Sequence, residues 1–138
     1  MKQLISNIPR LIDISEVASQ SGTLLYAEVG KHIPFTVQRV YYICGVPEGS
    51  ERGAHAHKEL DQVIIAVSGS FVVDVTDGKN NWTYALEKPN KGLYLPAGVW
   101  RTLRNFSKDA VCLVLASDKY ISGDYIHDYN EFLAWESK

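Results

Sequence analysis

No stretch of this 138-residue chain approaches the ~20 consecutive apolar residues of a membrane-spanning helix, so a bilayer anchor of that kind is excluded. No charge of one sign dominates either. The formal net charge is −2 and the basic residues are dispersed, which leaves no electrostatic footprint for a nucleic-acid backbone or an anionic membrane. Any phosphate held here belongs to a small molecule. Cysteine is scarce: Cys44 and Cys112 lie far apart, each in an apolar run ("YYICGV" and "AVCLVLA"), and the pattern predicts two buried thiols rather than a disulfide. That points to a reducing cytoplasm. The opening "MKQLISNIPRLIDI" alternates apolar and polar residues and contains Pro9, so it offers no continuous apolar core of an export signal. Internal repeats, linkers and low-complexity tracts are missing too. What remains, with 46% apolar and 22% charged residues, is one ordinary globular domain over 1–138 with room for a real core.

Short runs rich in Val, Ile, Tyr, Thr and Leu fill that domain. "GTLLYAEVG", "FTVQRVYYICGV", "QVIIAVSGSFVVDVTDG", "NWTYALEKP", "KGLYLPAGVWRTLRNFS" and "DAVCLVLASDKY" are separated by Gly, Pro, Asn and Asp, the punctuation of an all-β sandwich or small barrel. Asp77-Gly78 tolerates positive φ between two alternating runs and predicts a hairpin, while Gly69 marks the bend between "DQVIIAVS" and "SFVVDV". Helix is expected only in "GDYIHDYNEFLAWESK", across the outside of the barrel. There Ile126, Tyr129, Phe132 and Leu133 recur at helical spacing, with Asp124 as N-cap.

Within "ERGAHAHKELDQ", His55 and His57 stand two residues apart. On a strand both project to one face, about 7 Å apart along the chain. The spacing G-x5-H-x-H from Gly49 to His57, followed by Gly69, resembles the first motif of the cupin superfamily. "PAGVWRTLRN", with Pro96, Gly98 and Asn105, resembles the second. A jelly-roll barrel of the cupin type, with a short C-terminal helix, is therefore the expected fold. Metal-binding cupins carry a carboxylate where this chain has Gln62 and a third histidine where it has Arg101. A guanidinium donates no lone pair and repels a divalent cation, so no metal is expected. Asp61 could serve as a ligand only through a bulge, because on a regular strand it faces away from His57.

Two imidazoles without a metal suit proton transfer near neutral pH. Arg39, Arg52 and Arg101 offer forked donors to anionic oxygens, so a diphosphate is a natural tenant; Arg104 falls at odd spacing from Arg101 and is expected to face outward. Tyr41 shares the parity of Arg39.

The succession "IPFTVQRVYYI", "RGAHAHKELDQVI", "GLYLPAGVWRTLRNFS", "LVLASDKY" and "DYIHDYNEF" resembles the dTDP-4-keto-6-deoxy-glucose 3,4-ketoisomerases of bacterial sugar biosynthesis, over nearly the whole of residues 22–132. The resemblance implies a metal-free, cofactor-free cupin, a homodimer that exchanges N-terminal strands. Its substrate would be a dTDP-linked 4-keto-6-deoxy sugar, whose carbonyl it moves from C4 to C3 ahead of amination. It implies His55 as the base at C3 and His57 as the group handling protons at the sugar oxygens. Arg39, Tyr41, Arg52, Gln62, Trp100 and Arg101 are the expected substrate contacts, and the apolar "LISNIPRLIDI" is compatible with the exchanged edge strand. Some relatives carry His at the place of Arg101, and an arginine or tyrosine at the place of Ser21. Both gluco and galacto products stay open, the gluco product favoured. A 3,5-epimerase-like cupin, a metal-dependent cupin enzyme with Asp61 recruited as a ligand and a non-catalytic sugar-binding cupin are the rival functions, and retention of the histidine pair argues against the last.

Overall fold

The computed structural model describes residues 8–138. The part of "LISNIPRLIDI" over residues 4–7 lies outside the described residues. The strands are β1 (Arg10–Asp13), β2 (Ser15–Ser19), β3 (Gly22–Tyr26), β4 (Arg39–Cys44), β5 (Arg52–His57), β6 (Gln62–Ser68), β7 (Phe71–Thr76), β8 (Asn81–Leu86), β9 (Lys91–Leu95), β10 (Trp100–Arg104), β11 (Val111–Ala116) and β12 (Tyr125–Ile126); one helix, α1 (Tyr129–Glu136), follows. Two five-stranded antiparallel sheets face each other, in the orders β1-β9-β6-β11-β4 and β12-β5-β10-β7-β8, and β2 pairs with β3 in a separate hairpin. This is the expected all-β jelly roll.

Strand alternation builds the core between the sheets. Phe71, Val73 and Val75 of β7 and Leu103 of β10 meet Ile64, Ala66, Leu93, Leu95, Cys112 and Val114 from the opposite sheet. In β6, β9 and β11 the intervening residues are apolar as well, because the outer face of that sheet is covered too. Val63, Ile65, Tyr94, Leu113 and Leu115 pack there under Ile12, Ile14, Leu25, Ile33, Phe35 and Val37. On the outer face of the second sheet α1 covers the part made by β12, β5 and the start of β10, where its Phe132, Leu133 and Trp135 pack on Ala56, Trp100 and Ile126.

The two turn expectations match the structure. Asp77-Gly78 lies in the β7–β8 hairpin, where Gly78 has φ 96° and Asp77 Oδ1 accepts the backbone N–H groups of Lys79 and Asn80. At Gly69, φ 65°, the chain turns the corner from one sheet to the other. A Cβ there would stand 2.3 Å from Ser107 Oγ and 2.8 Å from Ala110 Cα, so both conformation and space require glycine.

Two expectations are corrected. Cys112 is buried, but Cys44 is exposed and both are free thiols. Cys44 shares the outward parity of Val40 and Tyr42 on β4, a strand at a sheet edge whose outer face no described residue covers. The second correction concerns the helix start. Ile126 is not helical: Tyr125 and Ile126 pair with His57 and Ala56 as β12, which buries Ile126 completely enough to outweigh its helical spacing. The N-cap is Asp128, not Asp124. Asp128 Oδ1 accepts from the N–H groups of Asn130 (2.8 Å) and Glu131 (3.1 Å), the ordinary side-chain satisfaction of a helix start. No described helix is long and apolar enough to cross a membrane.

Candidate active site

Between the sheets a cavity of about 620 Å³ opens, walled by β4, β5, β6, β10, β11 and β12. His55 lines it, and His57 lies behind, only 3% exposed. Their rings meet edge to face at 4.9 Å between centroids, closer than the backbone spacing alone suggests. Arg52 would face away from both histidines on a regular strand. Gly53 (φ 67°) breaks the alternation, the β5–β10 register slips there, and Arg52 joins the cavity wall.

Arg101 of β10 stands beside His55 as its cross-strand partner, and from the opposite sheet Arg39 and Tyr41 reach inward on β4 and Gln62 on β6. Arg101 is 3% exposed, and its Nη2 donates to Gln62 Oε1, while Gln62 Nε2 donates to Tyr41 Oη at 3.2 Å. A neutral amide thus stands where metal-binding cupins have a carboxylate, and it aims the guanidinium without neutralising it. Trp100 is placed elsewhere. It alternates with Arg101, so its ring points out of the barrel against Tyr129 (5.4 Å) and Phe132 (5.9 Å), and it touches no part of the cavity. Arg104 faces outward as expected, paired with Asp74 through Nε at 2.5 Å. Asp61 accepts the N–H of Ala97 at 2.8 Å, a structural bond away from the histidines. Among the described residues no cluster of three or more His, Cys, Asp and Glu side chains is arranged to hold a metal ion.

Three residues of the site escaped sequence reasoning. Asp124 Oδ2 lies 3.1 Å from His57 Nδ1. Tyr125 packs its ring 4.3 Å from that of His57 and accepts a hydrogen bond from Arg39 Nη2 at 3.4 Å. His127 stacks on Tyr125 at 5.4 Å and comes within 6.1 Å of His55. The segment "DYIHDY" carried the signal in its density of polar aromatic and acidic residues. A two-residue strand is too short to show its period.

Burial and then the Arg101 charge push both imidazoles down, each from 6.5 to about 2; His57 and His127 add to this at His55, and Arg39 and His127 at His57. Both rings are therefore neutral at pH 7. Nε2 of each is buried with no hydrogen-bond partner among the described residues, as is Arg39 Nε. Burial also pulls the Arg101 guanidinium below its ordinary value and raises that of the Tyr41 hydroxyl. Between pH 6.5 and about 2 the unfolded chain binds more protons at these histidines than the folded one, so their effect is absent above 6.5 and destabilises the fold as pH drops below it. Urea unfolding is expected to show a lower midpoint at about pH 5.5 than at about pH 7.5, with a smaller loss in the His55→Asn/His57→Asn double variant. An identical pH slope in that variant contradicts the assignment.

The sequence matches the family described as FdtA: WxcM-like, C-terminal, over residues 7–137. It is 39% identical over 129 residues to the TDP-4-oxo-6-deoxy-alpha-D-glucose-3,4-oxoisomerase of Aneurinibacillus thermoaerophilus, covering 94% of this chain and 93% of that protein. The structure of a 3,4-ketoisomerase from Helicobacter canadensis is similar with a TM-score of 0.91 and 42% identity, over 94% of this chain and 98% of the other. QdtA, a sugar 3,4-ketoisomerase from Thermoanaerobacterium thermosaccharolyticum solved in complex with TDP, gives a TM-score of 0.91 at 35% identity over 97% of each chain. A histidine-to-asparagine mutant of QdtA is known in complex with TDP-4-keto-6-deoxyglucose; it gives a TM-score of 0.90 at 35% identity over 94% of each chain.

Proposed function

This chain belongs to the FdtA family of WxcM-like, C-terminal domains, and from that premise we infer that it is a sugar-nucleotide 3,4-ketoisomerase. Its substrate is TDP-4-keto-6-deoxyglucose, the sugar nucleotide bound by the QdtA mutant, and its product a TDP-3-keto-6-deoxyhexose. The observation that carries the mechanism is the pair of neutral, partnerless Nε2 atoms beside a buried guanidinium.

A hydrogen next to a ketone is acidic because the enolate left behind spreads the charge onto oxygen, and a fixed cation lowers the cost further. His55 Nε2 takes the C3 proton. The C3–H electron pair becomes the C3–C4 double bond, and the carbonyl electrons move onto O4, facing Arg101 or Tyr41. His57 Nε2 then takes the proton from O3 and delivers it to O4. The charge now on O3 collapses to a carbonyl as C4 takes a proton from His55, whose ring proton has exchanged with solvent in between. One C–H and one O–H are lost and one of each is gained, so the step needs no oxidant. Arg39 and Arg52, at the cavity wall, suit the diphosphate. Placing the ketone at C3 prepares that carbon for amination by a later enzyme. The free thiols Cys44 and Cys112 suit a reducing compartment, which supports a cytoplasmic reaction.

Purified protein incubated with TDP-4-keto-6-deoxyglucose is expected to give a 3-keto sugar by proton NMR, whose couplings distinguish gluco from galacto. A ketone that stays at C4 contradicts the activity.

The functional unit is a homodimer exchanging its N-terminal strands. β4 ends its sheet with Val40 and Tyr42 56% and 68% exposed, and the β2–β3 hairpin leaves Val17 and Leu24 exposed. Bare apolar edges of this kind are normally covered. Sedimentation should return twice the chain mass, and Tyr42→Glu should shift it toward monomer; a monomeric wild type contradicts the exchange.

A further inference from the structure

The reaction scheme leaves Asp124 without a role, although it touches His57. We propose that Asp124 is a positioning residue that holds a proton on His57 Nδ1 and so keeps Nε2 bare for the oxygen relay. The proposal rests on the ketoisomerase activity inferred above.

The geometry around the carboxylate allows one arrangement. Oδ1 accepts the N–H of Glu59 at 2.8 Å, and Oδ2 accepts the N–H of Leu60 at 3.3 Å. Both are backbone donors, so their direction is fixed. A carboxylate in such company has only acceptors to offer, and its third partner, His57 Nδ1 at 3.1 Å, must be a donor. The neutral ring has one N–H. If Nδ1 holds it, Nε2 carries the lone pair, and Nε2 is the buried atom left without a partner among the described residues. The segment is held in place independently of the side chain, because Tyr125 pairs with His57 and the N–H of Lys58 donates to Asp124 O at 3.0 Å.

His55 has no such anchor. Among the described residues its ring has no hydrogen-bond partner, and it packs against the rings of His57, Tyr125 and His127. The two histidines are therefore unlike. A ring whose second nitrogen is fixed by a carboxylate passes a proton between two oxygens through Nε2 and returns to its starting tautomer. Asp124 keeps its charge throughout, and the Nδ1 proton never leaves.

Asp124→Asn separates this role from a merely structural one. An asparagine replaces one acceptor with a donor. Turned either way, it sets an NH2 against Glu59 N–H or against Leu60 N–H and His57 Nδ1; the second orientation drives the ring proton to Nε2, where it blocks the relay. In D2O with TDP-4-keto-6-deoxyglucose, Asp124→Asn is expected to lose about 10²–10⁴-fold in isomerisation. Deuterium should still enter C3 of the unreacted substrate near the wild-type rate, since His55 takes that proton unaided, and KM should change little. His57→Asn, which leaves Asp124 and its backbone bonds intact, should show the same split. The double variant should be no slower than His57→Asn alone. Equal loss of C3 exchange and isomerisation in Asp124→Asn overturns the assignment, as does unchanged isomerisation or a further loss in the double variant. A wild-type protein that neither isomerises nor exchanges overturns the ketoisomerase reading itself.

Discussion

His55→Asn lowers kcat by about 10³-fold or more and leaves the dissociation constant for TDP essentially unchanged. Asparagine is close to imidazole in reach and keeps a hydrogen-bonding head, but it has no lone pair basic enough to take a carbon-bound proton. The neighbours of His55 explain why binding survives. Its ring contacts are aromatic, and the arginines suited to the diphosphate, Arg39 and Arg52, do not depend on it. Solvent exchange at C3 should vanish together with turnover, unlike the split expected at Asp124. Steady-state kinetics with calorimetric TDP titration checks the prediction. Substantial turnover in this variant removes His55 from the role of carbon base.

Arg101→Gln is expected to lower kcat by about 10²–10³-fold through loss of a buried charge facing the developing oxyanion. It has a second effect of opposite character. Arg101 is the largest charge holding both imidazoles down. Without it the rings bind protons more readily, so the basic form is lost at a higher pH. The acid limb of kcat/KM, displaced far below pH 6.5 in the free wild-type enzyme, should move up toward the ordinary imidazole range in the variant. A substituted glutamine can still donate to Gln62, so the β6–β10 contact survives. A variant with wild-type rate, or with reduced rate and an unmoved acid limb, contradicts the electrostatic role.

Much of this site could be read from residue order. The parity of His55 and His57 puts them on one face, and Gln62 and Arg101 in place of metal ligands point to proton transfer. Trp100 shows the rule applied too loosely. It and Arg101 are neighbours on one strand, so both cannot enter the same cavity, and the buried guanidinium settles which does. Arg52 shows the opposite case, where Gly53 suspends the rule. Asp124 was misassigned because a lone aspartate before an amphipathic run looks like a cap; four residues later Asp128 meets the same description and is followed by Glu131 at the position that completes it. His127 and Tyr125 depend on a two-residue strand pairing with β5, a long-range contact that no local pattern encodes. Cys44 was misplaced for a related reason: its apolar surroundings imply burial only if something covers the outer face of β4.

The most direct test of proton transfer through an enediol uses EDTA-treated protein and TDP-4-keto-6-deoxyglucose in D2O, followed by proton NMR. The result expected is a 3-keto sugar carrying deuterium at C4. Deuterium at C3 and C5 with the ketone still at C4 would be the work of an epimerase and would contradict the mechanism.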